Sequence, residues 1–270
     1  MSEDADIEAP YATLLLERPH PHVWVLKFNR PQAANALNTQ MGRDILAFFS
    51  GLALDQCEAR CVVLTGVGDR AFCAGGDLKE RDGMSDSTWL AQHVIFEQAS
   101  RAVMECPIPL IAAVNGAAYG GGCEFALACD FIYAAESARF AQTETRLGII
   151  PGAGGTQLLT RAVGAARAKE IILSAVPFDA RQALEWGMVN KVVPDSALLE
   201  EALTAARVIA ENAPIAVRQA KLAITNGAEV DRRSGLIIEV AAYNQTVPTA
   251  DRREGIRAAI ERRAPKFAGL

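Results

Sequence analysis

Two glutamates and two glycine-rich turns are the residues of this 270-residue chain whose types and spacing could do chemistry. Glu124 stands in the first turn of an otherwise apolar helical stretch, Phe125-Ala126-Leu127-Ala128, where a carboxylate is costly unless it is paired or used. Glu144 follows 20 residues later in Gln142-Thr143-Glu144-Thr145-Arg146. Each turn follows an apolar strand-like run: Ala71-Phe72-Cys73-Ala74-Gly75-Gly76-Asp77, and Asn115-Gly116-Ala117-Ala118-Tyr119-Gly120-Gly121-Gly122-Cys123. A row of Gly and Ala lets a ligand press against backbone N–H groups, which is how an oxyanion site is built. The second turn runs into a helix whose N-terminal partial charge adds to it. Two carboxylates beside such a site suit general acid and base handling of a water.

Strands and helices must alternate to position these groups. Residues 12–17 and 22–28, separated by Arg18-Pro19-His20-Pro21, read as a β-hairpin. Asn38 or Thr39 then opens a helix whose apolar positions Met41, Ile45, Leu46 and Phe49 fall at helical spacing. Further strands are expected at Cys61–Thr65, Leu110–Val114 and Asp130–Ala134, with helical stretches at Asp86–Glu105 and Glu124–Ala128 between them. This order implies an α/β class with a mostly parallel sheet. From about Asp195 only helical patterns remain: Asp195–Glu211, Pro214–Asn226 with Asp231–Gln245, and Thr249–Arg263. The expected organisation is an α/β core over residues 1–195 and a helical region over 196–270 that caps the core or mediates oligomerisation.

Composition narrows the chemistry. With 27 basic against 32 acidic groups the net charge is −5, and aromatic residues make up 6%, so neither a basic nucleic-acid face nor a stacking platform is expected. Six cysteines without a CxxC pair, three of them in apolar runs, read as reduced, buried thiols. The first ten residues carry four acidic groups and no apolar core, so no leader is expected and the location is cytoplasmic, or the mitochondrial matrix if the chain is trimmed. The run Cys106–Cys123 is uncharged but holds two prolines and a glycine cluster, which suits a buried strand and turn rather than a membrane span. His20, His22 and His93 are the only histidines and read as surface or core imidazoles. No metal, serine-elbow or P-loop motif occurs. Gly66-Val67-Gly68-Asp69-Arg70-Ala71 fits a loose dinucleotide pattern, yet a strand rather than a helix is expected after it.

Taken together, these segments resemble the crotonase (enoyl-CoA hydratase/isomerase) superfamily over nearly the whole chain. Phe28-Asn29-Arg30-Pro31-Gln32-Ala33-Ala34-Asn35-Ala36-Leu37 resembles the family's CoA-contacting strand end, Ala71–Asp77 the first half of its oxyanion hole, and Gly120–Glu124 the second half. The resemblance implies a spiral of ββα units with a C-terminal helical trimerisation region. It implies thioester N–H donors at Ala74 and Gly121, catalytic Glu124 and Glu144, and substrate contacts from Gln32, Ala34, Gly75, Gly76, Asp77, Leu78 and Gly152. Retention of both glutamates points to hydration of an enoyl-CoA thioester, with coenzyme A as part of the substrate and no separate cofactor or metal.

The stretches Asp77–Arg81, Ala220–Ile224 and Tyr243–Thr249 resemble the methylglutaconyl-CoA hydratase branch, which serves leucine breakdown. That substrate carries a second carboxylate, for which Arg146 is the expected cation. The alternatives are a general short-chain enoyl-CoA hydratase, an isomerase, or an RNA-binding relative. For the last, the stretch Asn38–Arg60 has Arg43 and Arg60 but no lysine, so nucleic acid is not an expected partner. Residues 251–270 hold six basic and three acidic groups, a local +3. The resemblance implies that this end folds over the CoA phosphates, so Lys266, or Arg263, is expected to reach them, on its own subunit or a neighbour's in a homotrimer or dimer of trimers.

Overall fold

In the computed structural model, residues 6–8, 10–54 and 58–270 are described. The strands among them are β1 (Asp6–Glu8), β2 (Leu14–His20), β3 (Val23–Phe28), β4 (Cys61–Gly66), β5 (Ala71–Cys73), β6 (Leu110–Val114), β7 (Ala117–Tyr119), β8 (Phe131–Ala135), β9 (Arg139–Ala141), β10 (Phe178–Asp179) and β11 (Lys191–Val193). The helices are α1 (Thr39–Leu54), α2 (Leu78–Arg81), α3 (Asp86–Met104), α4 (Gly121–Ala128), α5 (Gly155–Val163), α6 (Ala165–Ser174), α7 (Ala180–Glu185), α8 (Leu198–Ala210), α9 (Pro214–Gly227), α10 (Arg232–Thr246) and α11 (Ala250–Glu261).

Two sheets divide the strands. The larger has the order β1-β2-β3-β4-β6-β8-β11, antiparallel through β3 and parallel from β3 onward. Every residue of β4 and β6 is buried, the pattern of central parallel strands covered on both faces. The smaller has the order β10-β9-β7-β5, with β5, β7 and β9 parallel. Successive strand pairs β4/β5, β6/β7 and β8/β9 each give one strand to each sheet, so the chain advances as a spiral of repeated units. One consequence decides the site. The ends of β5, β7 and β9, three neighbours in the small sheet, deliver residues 74–77, 120–124 and 142–144 to one place, in the manner of ligand sites at strand carboxyl ends.

The expected hairpin, the helix capped by Asn38 (Oδ1 accepting from Met41 N–H at 2.9 Å), the strand after Gly66-Val67-Gly68 and the helical C-terminal region are all present. The small sheet and the helices α5–α7 were not expected from sequence. The face of α8 formed by Leu198, Ala202, Leu203 and Ala206 is buried in the core, so the helices that leave the core begin at α9. The α9 and α10 helices pack on each other, burying only Pro214 and Ala242 and leaving Ile224, Ile237, Val240 and Tyr243 more than half exposed. Cys61, Cys73, Cys106, Cys123 and Cys129 are free and buried, and burial pushes the Cys73 thiol up to about 12. Cys57 lies outside the described residues. No helix among the described residues is long and apolar enough to cross a membrane.

Candidate active site

The glycine turns pack by backbone contact. Gly75 has φ +91°, and a Cβ there would lie 2.7 Å from the Tyr119 carbonyl, so only glycine fits between the two turns. Gly122 is locked the same way, since a Cβ on it would collide with the Cys73 carbonyl at the end of β5. These approaches bring residues 75–76 beside 120–121 at the mouth of a cavity of about 570 Å³.

Two N–H groups of this junction have no acceptor among the described residues. Gly121 opens α4, and the first N–H groups of a helix have no intrahelical partner. Leu37 brackets Gly76 in a parallel bridge: Leu37 N–H donates to Gly75 O (2.8 Å) and Asp77 N–H donates to Leu37 O (2.9 Å). The N–H of Gly76 therefore faces the other way. Ala74, the donor expected from sequence, is corrected here: its N–H donates to Ala34 O at 3.1 Å and is already used. The role of Ala34 follows from the same bond, since its carbonyl fixes the turn.

Both glutamates line the cavity and are buried, Glu124 at 3% and Glu144 at 8% exposure. Glu124 Oε1 accepts from Ala153 N–H (2.8 Å) and Gly155 N–H (2.7 Å), which leaves Oε2 available. Burial raises its pKa while those two bonds pull it back. Glu144 lies against Gly120, where an added Cβ would stand 2.9 Å from Oε1. The fully buried Gln142 turns its amide nitrogen to Glu144 Oε1 (3.2 Å) and Oε2 (3.1 Å), the orientation that satisfies the amide. Burial, reinforced by the Glu124 charge, raises Glu144 to about 7. Two buried carboxylates so placed titrate as a coupled pair, and burial of both favours their protonated forms.

The remaining expected residues fall into two groups. Gly75, Gly76, Leu78 and Gly152 line the cavity, with Leu78 exposed at its rim. Gln32, Asp77, Arg146, Arg263 and Lys266 are outside it. Gln32 is exposed on a short turn of 3-10 helix. Asp77 is consumed by its own loop: it pairs with Arg30 at 2.9 Å and caps α2 by accepting from Lys79 and Glu80 N–H. Burial alone would raise its pKa, but the Arg30 bond and the backbone bonds hold it below the ordinary value. Arg146 is exposed in the last turn of the 3-10 segment that begins at Glu144. Arg263 pairs with Glu254 and Glu261, and Lys266 sits beside it in a separate depression with Asp251 and Glu254.

Sequence reasoning missed four residues of the site. His93 lines the cavity, its ring seated against Gly152 so closely that a side chain at 152 would collide with it. Arg81 lines it too, from the short helix α2. Ala153 and Gly155 supply the Glu124 bonds. Their prior signal was limited to the Asp77–Arg81 stretch and Gly152, because contact between residues 93 and 152 is a product of the spiral.

Known proteins share this fold and much of this sequence. The enoyl-CoA hydratase/isomerase family pattern matches residues 19–269. The human mitochondrial methylglutaconyl-CoA hydratase is 41% identical over 262 residues, 94% of this chain and 76% of its own. The short-chain-enoyl-CoA hydratase of Clostridium acetobutylicum is 40% identical over 241 residues, 89% of this chain and 92% of its own. The crystal structure of enoyl-CoA hydratase from Bacillus anthracis superposes with a TM-score of 0.93 at 44% identity, covering 96% of this chain and all of that one. Two buried glutamates at strand ends and a pair of outward glycine N–H groups are thus set in a chain that belongs to the enoyl-CoA hydratase/isomerase family.

Proposed function

We propose that this enzyme adds water across the 2,3 double bond of an enoyl-CoA thioester, with Gly76 and Gly121 N–H as oxyanion donors and Glu124 and Glu144 as the acid–base pair. The thioester oxygen accepts from both N–H groups, which stabilises the enolate that forms when C3 is attacked. Glu124 Oε2 and Glu144 hold one water. The water oxygen bonds to C3, its proton passes to the carboxylate pair, and a proton from the pair reaches C2, so one water is consumed and the pair is restored. The two carboxylates exchange these protons between them: Glu144 is raised to about 7 by burial and the Glu124 charge, and Glu124, held at Oε1 by two N–H bonds, keeps Oε2 for the water. The single observation that carries this reading is the coexistence of two buried carboxylates with two outward N–H groups at one cavity. An isomerase needs a proton relay but no water between two carboxylates.

The finer substrate is proposed to be a short acyl chain, with 3-methylglutaconyl-CoA of leucine breakdown as the first to try, supported by the human relative's name. The chain is proposed to work as a homotrimer or a dimer of trimers through the apolar face of α9 and α10. Incubation with crotonyl-CoA should bleach the enoyl-thioester absorbance and yield 3-hydroxybutyryl-CoA. Conversion of a 3-enoyl-CoA to its 2-enoyl isomer with no hydration of either would replace this reading by the isomerase one.

A further inference from the structure

The apolar part of the cavity lining is Trp89, Leu90, Phe96, Leu147 and Ile150, which suffices for a plain hydrocarbon chain. Arg81 stands among them. Its Nε donates to Gln92 Oε1 at 2.8 Å, and its guanidinium lies 4.4 Å from the Trp89 ring centre and 5.5 Å from that of Phe96. Glu80 and Glu144 act on its charge through space, but neither is bonded to it: Glu80 Oε2 accepts from Thr39 N–H and from Gln92 Nε2, both at 2.8 Å, and Glu144 accepts from Gln142. Gln92, 3% exposed, therefore holds Glu80 with one end of its amide and Arg81 with the other. The terminal nitrogens of Arg81 are left without an acceptor among the described residues, and Nη1 would stand 3.0 Å from a Cβ on Gly76, beside the proposed oxyanion donor. Burial lowers the pKa of Arg81, the mark of a cation that has given up water. By contrast Arg30, Arg161 and Arg263 each have a carboxylate.

We infer that Arg81 is a specificity-determining residue that binds a second carboxylate at the far end of the acyl chain, so that the favoured substrates are short enoyl-CoA thioesters bearing a terminal carboxylate. This rests on the hydratase reading. A planar guanidinium fixed at Nε and by ring stacking presents its two outer nitrogens to a carboxylate with little ordering cost, and the pairing replaces the lost water. Arg146, exposed and outside the cavity, does not serve this purpose.

The test compares glutaconyl-CoA with crotonyl-CoA, which lacks the carboxylate, on the full chain and on Arg81→Met and Arg81→Lys. Wild type should show the higher kcat/KM on glutaconyl-CoA. Arg81→Met should lower the glutaconyl-to-crotonyl ratio by about 10- to 100-fold, chiefly through KM, and Arg81→Lys should restore part of it. A wild-type preference for crotonyl-CoA, or an Arg81→Met that lowers both substrates equally, would overturn the inference and leave the hydratase reading standing. Hydration of neither substrate by wild type would instead overturn the hydratase reading. Should Arg81→Met fail to fold, inhibition of wild type decides: glutaryl-CoA should bind more tightly than butyryl-CoA, and equal or weaker binding contradicts the role.

Discussion

Glu144 is the residue whose chemistry depends most on where the chain puts it. Its pKa rises from 4.5 to about 7 on burial beside Glu124. Between those pH values the folded chain keeps a proton that the unfolded chain has released. The stabilising contribution of that proton is complete below about pH 4.5 and is lost as pH rises through about 7. Glu144→Gln cannot ionise there. It should therefore gain stability over wild type between about pH 5 and pH 8, by about 1–3 kcal/mol, readable as a difference in urea midpoints at the two pH values. An unchanged or reversed difference would show that Glu144 is not desolvated as described. The pH profile of kcat/KM should show an ionisation near 7 in wild type. Glu124 was legible in the sequence because a carboxylate inside an apolar helix turn demands a reason, and Glu144 through its spacing from Glu124 and the family resemblance. The proposed oxyanion donor was legible only to within two residues: Ala74 and Gly76 share a loop, and which N–H is left free is fixed by the Leu37 bridge, a contact across 39 positions that spacing alone does not reveal. Arg146, the cation expected from sequence, is exposed and not among the cavity-lining residues.

At the scale of elements, the site is made by three-residue strands. β5, β7 and β9 are each too short for an alternating pattern to register, and their pairing is parallel and non-local, so sequence reading found the buried strands β4, β6 and β8 and passed over the second sheet. The glycine turns were visible, whereas the reason for them, contact between 75 and 119 and between 122 and 73, was not. Gly122→Ala tests that contact. The added methyl meets the Cys73 carbonyl, a backbone atom that cannot swing aside, and should cost about 2–4 kcal/mol in stability together with most activity. Thermal unfolding measures the first effect. A variant with wild-type melting and turnover would mean that the two turns are not held as described. Gly148→Ala, with open space at its Cβ, should cost less despite its φ of +74°.

For the whole molecule, the apolar face of α9 and α10 sets the expectation. Ile237 is 66% and Tyr243 67% exposed on helices whose partner in this chain is chiefly each other. Burying this face between copies gains roughly 25 cal/mol per Å² of apolar area, before the costs of association. Light scattering of the full chain should give a trimer or hexamer mass, and Ile237→Glu should shift it toward monomer. A monodisperse monomer for wild type would refute the assembly. The helical character of this region was plain from sequence, since four uninterrupted helical patterns leave little room for another reading. The +3 charge of the last 20 residues was plain as well, although Arg263 proves committed to Glu254 and Glu261 within the chain. The most direct test of the whole account is the rate of crotonyl-CoA hydration by Glu124→Gln and by Glu144→Gln, each checked for folding. The account predicts that each loses at least about 100-fold in kcat, since either change removes one side of the acid–base pair. Near-wild-type turnover in both would contradict it.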